Sequence, residues 1–271
     1  MKIILFLSSL LILNLTFGQD SIFSWKENFR IVENTISGWN VDAFGNLIVS
    51  NSSSLNKYNS AGEISYRISC KSFGEIKQII PITPLKIVLF SEQQQQICFV
   101  DNTLTPVNEC IDLGDYNIEF ATFIGRSSRG ELLWVFDQVN STLLLIDLNQ
   151  SGKIVQEIRN TKGLISLNEL VEVIEFQSDL LLFDSTGQLL KFDLNGSLLS
   201  QVKLDCNDIS ASENSIWLLN KNQLFIYSDF DNPRYVCELP ITKIECFRTN
   251  SNRFFFQQNN EIQCYNLVKK K

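Results

Sequence analysis

The 271-residue chain has no histidine, few glycines for its length and no pair of cysteines spaced as CxxC. Without histidine there is no Ser-His-Asp or Cys-His activation of a nucleophile, no imidazole acid or base, and no imidazole metal ligand. The missing CxxC pair excludes zinc-ribbon and thioredoxin-like motifs, and Gly-rich phosphate loops of the Walker or dinucleotide type are absent. Basic clusters are lacking too. The formal net charge is −7, and the only lysine run, Lys269-Lys270-Lys271, has no interleaved aromatics, so neither nucleic acid nor an anionic membrane is expected as a partner. No window holds a helical period well enough for an α/β reading; the nearest, Asn160 to Val171, reads as a linker.

What is present begins with an apolar run. Met1-Lys2, then Ile3 to Phe17, then polar Gln19-Asp20 has the form of a short secretory signal, with Thr16 and Gly18 small enough for cleavage after Gly18. No lipobox cysteine follows it, and neither a membrane-length span nor a lipid-attachment tail lies downstream. The expected organisation is a leader over 1–18 and one domain over 19–271, a monomer in the periplasm or outside the cell. Seven cysteines leave at least one thiol unpaired. Cys98 and Cys110 flank a turn at Thr103 to Thr105 and fall opposite one another in register, which allows a disulfide; the alternative is thiols packed as small core hydrophobes.

A repeat organises the rest. An apolar strand is followed by a second strand ending in Asp, Asn or Ser, then a turn. The endings fall at Asn59, Asp101, Asp147, Asp193, Ser228 and Asn266, spaced 42, 46, 46, 35 and 38 residues apart. Four strands with tight hairpins need about 40 to 45 residues. An Asp or Asn there accepts hydrogen bonds from backbone amides two residues on, and a following Gly supplies positive φ, as in Asn59-Ser60-Ala61-Gly62 and Asp193-Leu194-Asn195-Gly196. Each ending is preceded by an apolar run such as Ile87 to Phe90, Leu132 to Phe136 or Phe254 to Phe256, suited to strands buried on both faces. The spacing therefore predicts an all-β, six-bladed β-propeller with four-stranded blades. Phe23 to Val32 is expected to supply the outer strand of the last blade beside Glu261 to Leu267, because too little chain follows. Gln93 to Gln96 reads as polar filler at a hairpin.

The turn Asp42-Ala43-Phe44-Gly45-Asn46-Leu47-Ile48-Val49, followed by Leu55 to Ile64, resembles the repeats of six-bladed propellers grouped as TolB-like or NHL-like. With Pro84 to Phe90, the chain is similar to small exported bacterial propellers of unassigned activity. Resemblance to propeller lactonases of the senescence-marker type, which hold a divalent cation in the channel, directs attention to the inner-strand acids Asp42, Glu119, Glu172, Glu175, Asp208 and Glu245. Oxygen ligands of this kind suit Ca²⁺, but no fixed ligand spacing is visible, and a solvated channel mouth accounts for them better. Glutamine cyclotransferases, which resemble five-bladed propellers, do not fit a sixth repeat. Trp134 and Trp217 read as core; Trp25 and Trp39 fit either a carbohydrate platform or packing at the ring closure. The expectation is a non-catalytic cell-envelope module that docks a protein or peptide, with no assigned catalytic, cofactor or metal residues. The alternative is a calcium-dependent, lactonase-like hydrolase working in the channel.

Overall fold

A computed structural model describes residues 22–150, 153–159, 161, 163–164, 170–212, 215–227 and 233–270. The leader read at 1–18 lies outside them. So does most of the blade-five turn at 228–232, and so do 165–169 of the expected linker, whose last residues Leu170 and Val171 belong instead to a strand.

Strand β1 (Phe23–Val32) is followed by antiparallel meanders. The first comprises β2 (Gly38–Val41), β3 (Leu47–Ser50), β4 (Ser54–Tyr58) and β5 (Ile64–Ser69). The second comprises β6 (Gln78–Thr83), β7 (Lys86–Ser91), β8 (Gln96–Asp101) and a two-residue β9 (Ile111–Asp112). Then come β10 (Ala121–Arg126), β11 (Leu132–Asp137), β12 (Thr142–Asp147) and β13 (Ile154–Ile158). The fourth meander holds β14 (Leu170–Phe176), β15 (Asp179–Asp184), β16 (Gln188–Asp193) and β17 (Leu198–Lys203). It is followed by β18 (Asp208–Ser212), β19 (Ser215–Asn220), β20 (Gln223–Tyr227) and β21 (Arg234–Glu238). The chain closes with β22 (Cys246–Asn250), β23 (Arg253–Gln258) and β24 (Glu261–Lys269), on whose edge β1 pairs from Phe23↔Lys269 to Val32↔Glu261.

Hydrogen bonding gathers these strands into four separate four-stranded blades and one curled eight-stranded sheet, ordered β13-β12-β11-β10-β14-β15-β16-β17. The expected six-bladed wheel of separate four-stranded sheets is corrected accordingly. The finding that overturns it is a parallel pairing of β10 with β14 at Arg126↔Ile174. Its physical cause is Gly125. A Cβ built there would stand 2.5 Å from Val173 Cβ and 2.9 Å from Val173 O, so only glycine lets the two backbones approach closely enough to bond.

Elsewhere the inner strands β2, β6, β18 and β22 meet their neighbours around the axis without a backbone ladder. Polar side chains stitch them instead. Asn40 donates to Ile79 O at 2.7 Å, and Gln78 both donates to Ile124 O (3.1 Å) and accepts from Ile124 N (2.8 Å). Asp208 accepts from Phe247 N at 2.7 Å, and Asn250 donates to Asp42 O at 2.8 Å. Gln95 grips Ala121 N and O at 2.7 and 2.9 Å, so the glutamine tract is no filler: it fixes the start of β10.

The core lies between sheets. Leu47 to Val49, Ile87 to Phe90, Leu133 to Phe136, Leu180 to Phe183 and Phe254 to Phe256 are buried, which explains runs with no polar alternation. The strand-end turns form through the side chains expected of them. Asn59 Oδ1 accepts from Ala61 N and Glu63 N, Asp193 Oδ1 from Asn195 N and Ser197 N, and Gly62 and Gly196 follow at φ 80° and 92°. In the second blade Cys98 and Cys110 are joined as a disulfide, which holds the chain against β8 where β9 is too short to cover it.

Candidate functional site: the central channel

Of the six acids named from the sequence, only two come together. Asp42 caps its own turn, accepting from Phe44 N and Asn46 N at 2.9 Å each, and pairs with Lys57 Nζ at 2.8 Å, both side chains being buried. Glu119 is exposed on the loop before β10. Glu245 is also exposed, and accepts from Gln257 Nε2 (3.3 Å) and Asn259 N (3.1 Å).

Glu175, on β14, is buried and satisfied by the loop that leaves β10. It accepts from Ser127 Oγ (2.9 Å), Ser128 N and Oγ (2.8 and 2.6 Å), Arg129 and Trp134 Nε1 (2.7 Å). Burial alone would raise its pKa, but these donors together hold the carboxyl below its ordinary value. Glu175 is thus a structural carboxylate that clamps the two halves of the eight-stranded sheet.

Glu172 and Asp208 do meet in the channel, and a residue missed in the sequence stands between them. Arg248, on β22, places Nη2 3.4 Å from Glu172 Oε2 and Nη1 3.8 Å from Asp208 Oδ2, donates to Phe247 O at 2.8 Å, and lies over the Trp39 ring at 5.8 Å. A cavity of about 200 Å³ beside it is lined by Trp39, Asn40, Gln78, Glu172, Cys246 and Arg248, among others. Burial pushes Glu172 up to about 7, against the pull of Arg248, and Asp208 up to about 6 for the same reason. The Arg248 guanidinium itself is held more firmly protonated by the two acids, despite burial.

The guanidinium therefore occupies the place between the acids that a divalent cation would need. Among the described residues no three of Asp, Glu, Cys and His converge on a point where a metal ion could bind. Thiol chemistry fares no better: burial pushes Cys246 and Cys206 up to about 12, leaving both as neutral thiols near pH 7. All four tryptophans are engaged in packing. Trp134 is fully buried and Trp39 nearly so; Trp25 and Trp217 meet Phe254 edge-on at 5.2 and 5.0 Å, and Trp25 Nε1 donates to Glu238 O. The signal that could have found Arg248 is alternation: in Cys246-Phe247-Arg248 a fully buried phenylalanine is flanked by two residues that line the cavity, as Glu172 does from β14.

No protein-family model matches the chain, and no curated protein sequence does. Solved structures share its fold at low identity. The WD40 domain of Neurospora crassa Pan2 superposes with a TM-score of 0.64 at 10% identity, over 91% of this chain and 96% of that one. Virginiamycin B lyase of Staphylococcus aureus gives 0.64 at 11% identity, over 91% and 100%. The WD40 repeats of RRP9 give 0.63 at 8%, over 90% and 100%. The chain is a β-propeller resembling WD40-type domains, and these likenesses establish the fold alone.

Two expectations are corrected by that result. The resemblance to TolB-like or NHL-like propellers gives way to a distant likeness to WD40-type ones. Of the residues that carried it, Asp42 to Val49 with Leu55 to Ile64 and Pro84 to Phe90, the opening turn is one that Asp42 builds from its own neighbours, a solution open to many hairpins. The placement in the periplasm or outside the cell is corrected as well. It rested on residues 1–18, outside the described ones, and the fold lends it no support, being shared with the WD40 domain of N. crassa Pan2 and with Chaetomium thermophilum Raptor. No helix among the described residues is long and apolar enough to cross a membrane.

Proposed function

We propose that this chain is a non-catalytic propeller that serves as a protein-interaction module. The observation that carries the reading is the channel: among the described residues its two acids, Glu172 and Asp208, share the guanidinium of Arg248, and no three metal-ligating side chains converge. The lyase likeness does not favour catalysis. A variant of the S. aureus enzyme with one histidine replaced by alanine is catalytically inactive, and this chain has no histidine to supply such a group. WD40-type domains share the fold, and a rigid wheel presenting turns on two faces suits docking.

Tagged full-length protein, cross-linked in its own cells and purified, is expected to retain a reproducible stoichiometric partner. The calcium-dependent hydrolase is tested beside it: millimolar Ca²⁺ is expected to leave the melting temperature unchanged, since a ligand bound only by the folded state would raise it. A partner-free preparation that calcium stabilises and that cleaves lactones would reverse the reading.

A further inference from the structure

The outer edge of the second blade is closed by sulfur rather than by a full strand. Its outer strand β9 has two residues, where β5, β13, β17 and β21 have five or six. β9 follows β8 at Gln96↔Asp112 and Ile97↔Ile111, and the next rung of the ladder is the Cys98–Cys110 disulfide itself. Beyond it, among the described residues, the Val100↔Pro106 bridge and a bond from Val107 N to Phe99 O (2.9 Å) hold residues 105–112 against the edge of β8. This strap is anchored at both ends, since Leu104 and Leu113 are fully buried and Leu113 N donates to Gln95 O at 3.0 Å. Between the anchors Thr105, Pro106, Asn108, Glu109, Cys110 and Asp112 are exposed. The strap can therefore lift without drawing either leucine out of the core.

The two cysteines of the bridge differ in access. Cys98 is buried, whereas Cys110 lies on the surface, where an external thiolate can reach it. Exposed bridges are the ones open to thiol exchange. The other cysteines do not compete for it: burial pushes Cys70 and Cys264 up to about 11, and Cys206, Cys237 and Cys246 up to about 12. Near pH 7 these remain neutral thiols, and a neutral thiol does not attack a disulfide. Opening the bridge thus requires a reductant from outside the chain.

We propose that the Cys98–Cys110 bridge is a redox latch on the strap 105–112, opened by a dithiol reductant. One thiolate of the reductant attacks Cys110 Sγ to form a mixed disulfide; the Cys98–Cys110 bond breaks, and its electron pair leaves on Cys98 Sγ, which takes up a proton. The second thiolate attacks the reductant's own sulfur in the mixed disulfide and releases Cys110, which is protonated in turn. The dithiol ends as a disulfide and both cysteines as thiols. Released, the strap lifts between its anchors and leaves the edge of β8 open from Cys98 to Val100. The test is hydrogen exchange on the full chain with and without dithiothreitol, with iodoacetamide labelling to count the freed thiols. Dithiothreitol is expected to open the bridge in the folded protein and to quicken exchange across 105–112, Val107 included, by about tenfold or more, leaving Ile87 to Phe90 unchanged. Oxidised glutathione should restore slow exchange. Cys110→Ser should exchange fast in this segment without reductant and ignore its addition. A bridge that resists dithiothreitol until the wheel unfolds, or a strap whose exchange is unmoved by reduction and by Cys110→Ser, overturns the latch. So does exchange that quickens throughout the second blade, which would make the bridge a structural staple, or that oxidised glutathione fails to reverse.

Discussion

Two carboxylates on one strand, Glu172 and Glu175, are tuned in opposite directions by what surrounds them. Glu175 has five groups donating to it and a depressed pKa. A carboxyl of this kind adds stability above its unfolded pKa of about 4.3, and that stability disappears as pH falls through the lower folded value. Glu175→Gln should lower stability at neutral pH by about 3 kcal/mol, since it weakens several charge-assisted bonds in a buried site. The variant should also lose the wild type's acid dependence below about pH 4, which urea titrations at several pH values would show. Glu172 behaves inversely. Its folded pKa lies above the unfolded one, so the folded state holds the proton more tightly, and stability falls as pH rises from about 4.3 through about 7. Arg248→Met removes the cation that stands between Glu172 and Asp208. The expected cost is about 3–5 kcal/mol at about pH 8, shrinking toward pH 5 as both acids take up protons; a loss independent of pH would mean that the guanidinium acts through packing alone.

Among the elements, the contact between β10 and β14 leaves no room for a side chain at Gly125. Gly125→Ala puts a methyl group against Val173, where the nearest atoms are a Cβ and a carbonyl oxygen of the neighbouring strand, neither able to swing away. The expected loss is about 1–3 kcal/mol, with faster amide exchange at Arg126 and Ile174 than at the inner strands of the other sheets. Strand positions and turns were legible in the sequence because both are local. An apolar run marks a doubly buried strand, and an Asp or Asn followed two or four residues later by a free amide marks the hairpin, as at Asn59, Asp101 and Asp193. The merger of two repeats was not legible, because it depends on one glycine in β10 lying opposite Val173, more than 40 residues away. Arg248 was missed for a related reason. Glu172 and Asp208 lie on β14 and β18, and the residue that decides their chemistry comes from a third inner strand, β22. Glu175 was named as a channel acid, but which face of β14 it takes is set by the loop carrying Ser127, Ser128 and Arg129.

At the scale of the whole molecule, the wheel is held shut by β1 on β24, a pairing backed by Trp25 and Phe29 against the phenylalanines of β23. Residues 22–32 deleted, the edge of β24 would stand open with its backbone groups unpaired, a template for other chains. The shortened protein is expected to melt at lower temperature, bind a hydrophobic dye and elute as oligomers in gel filtration. A monomer with an unchanged melting curve would show that the ring needs no such fastening.

The fastening also has a direction. Lys270 N donates to Ile22 O at 2.8 Å, so the two ends of the described chain leave the protein side by side, at the same end of an antiparallel pair. A load applied between them falls on the first hydrogen bond, then the next, as on a zip drawn from its open end, whereas a load between residue 33 and residue 270 would strain the whole row at once. The seam is therefore weak to a tug on its own ends and strong to one along its length.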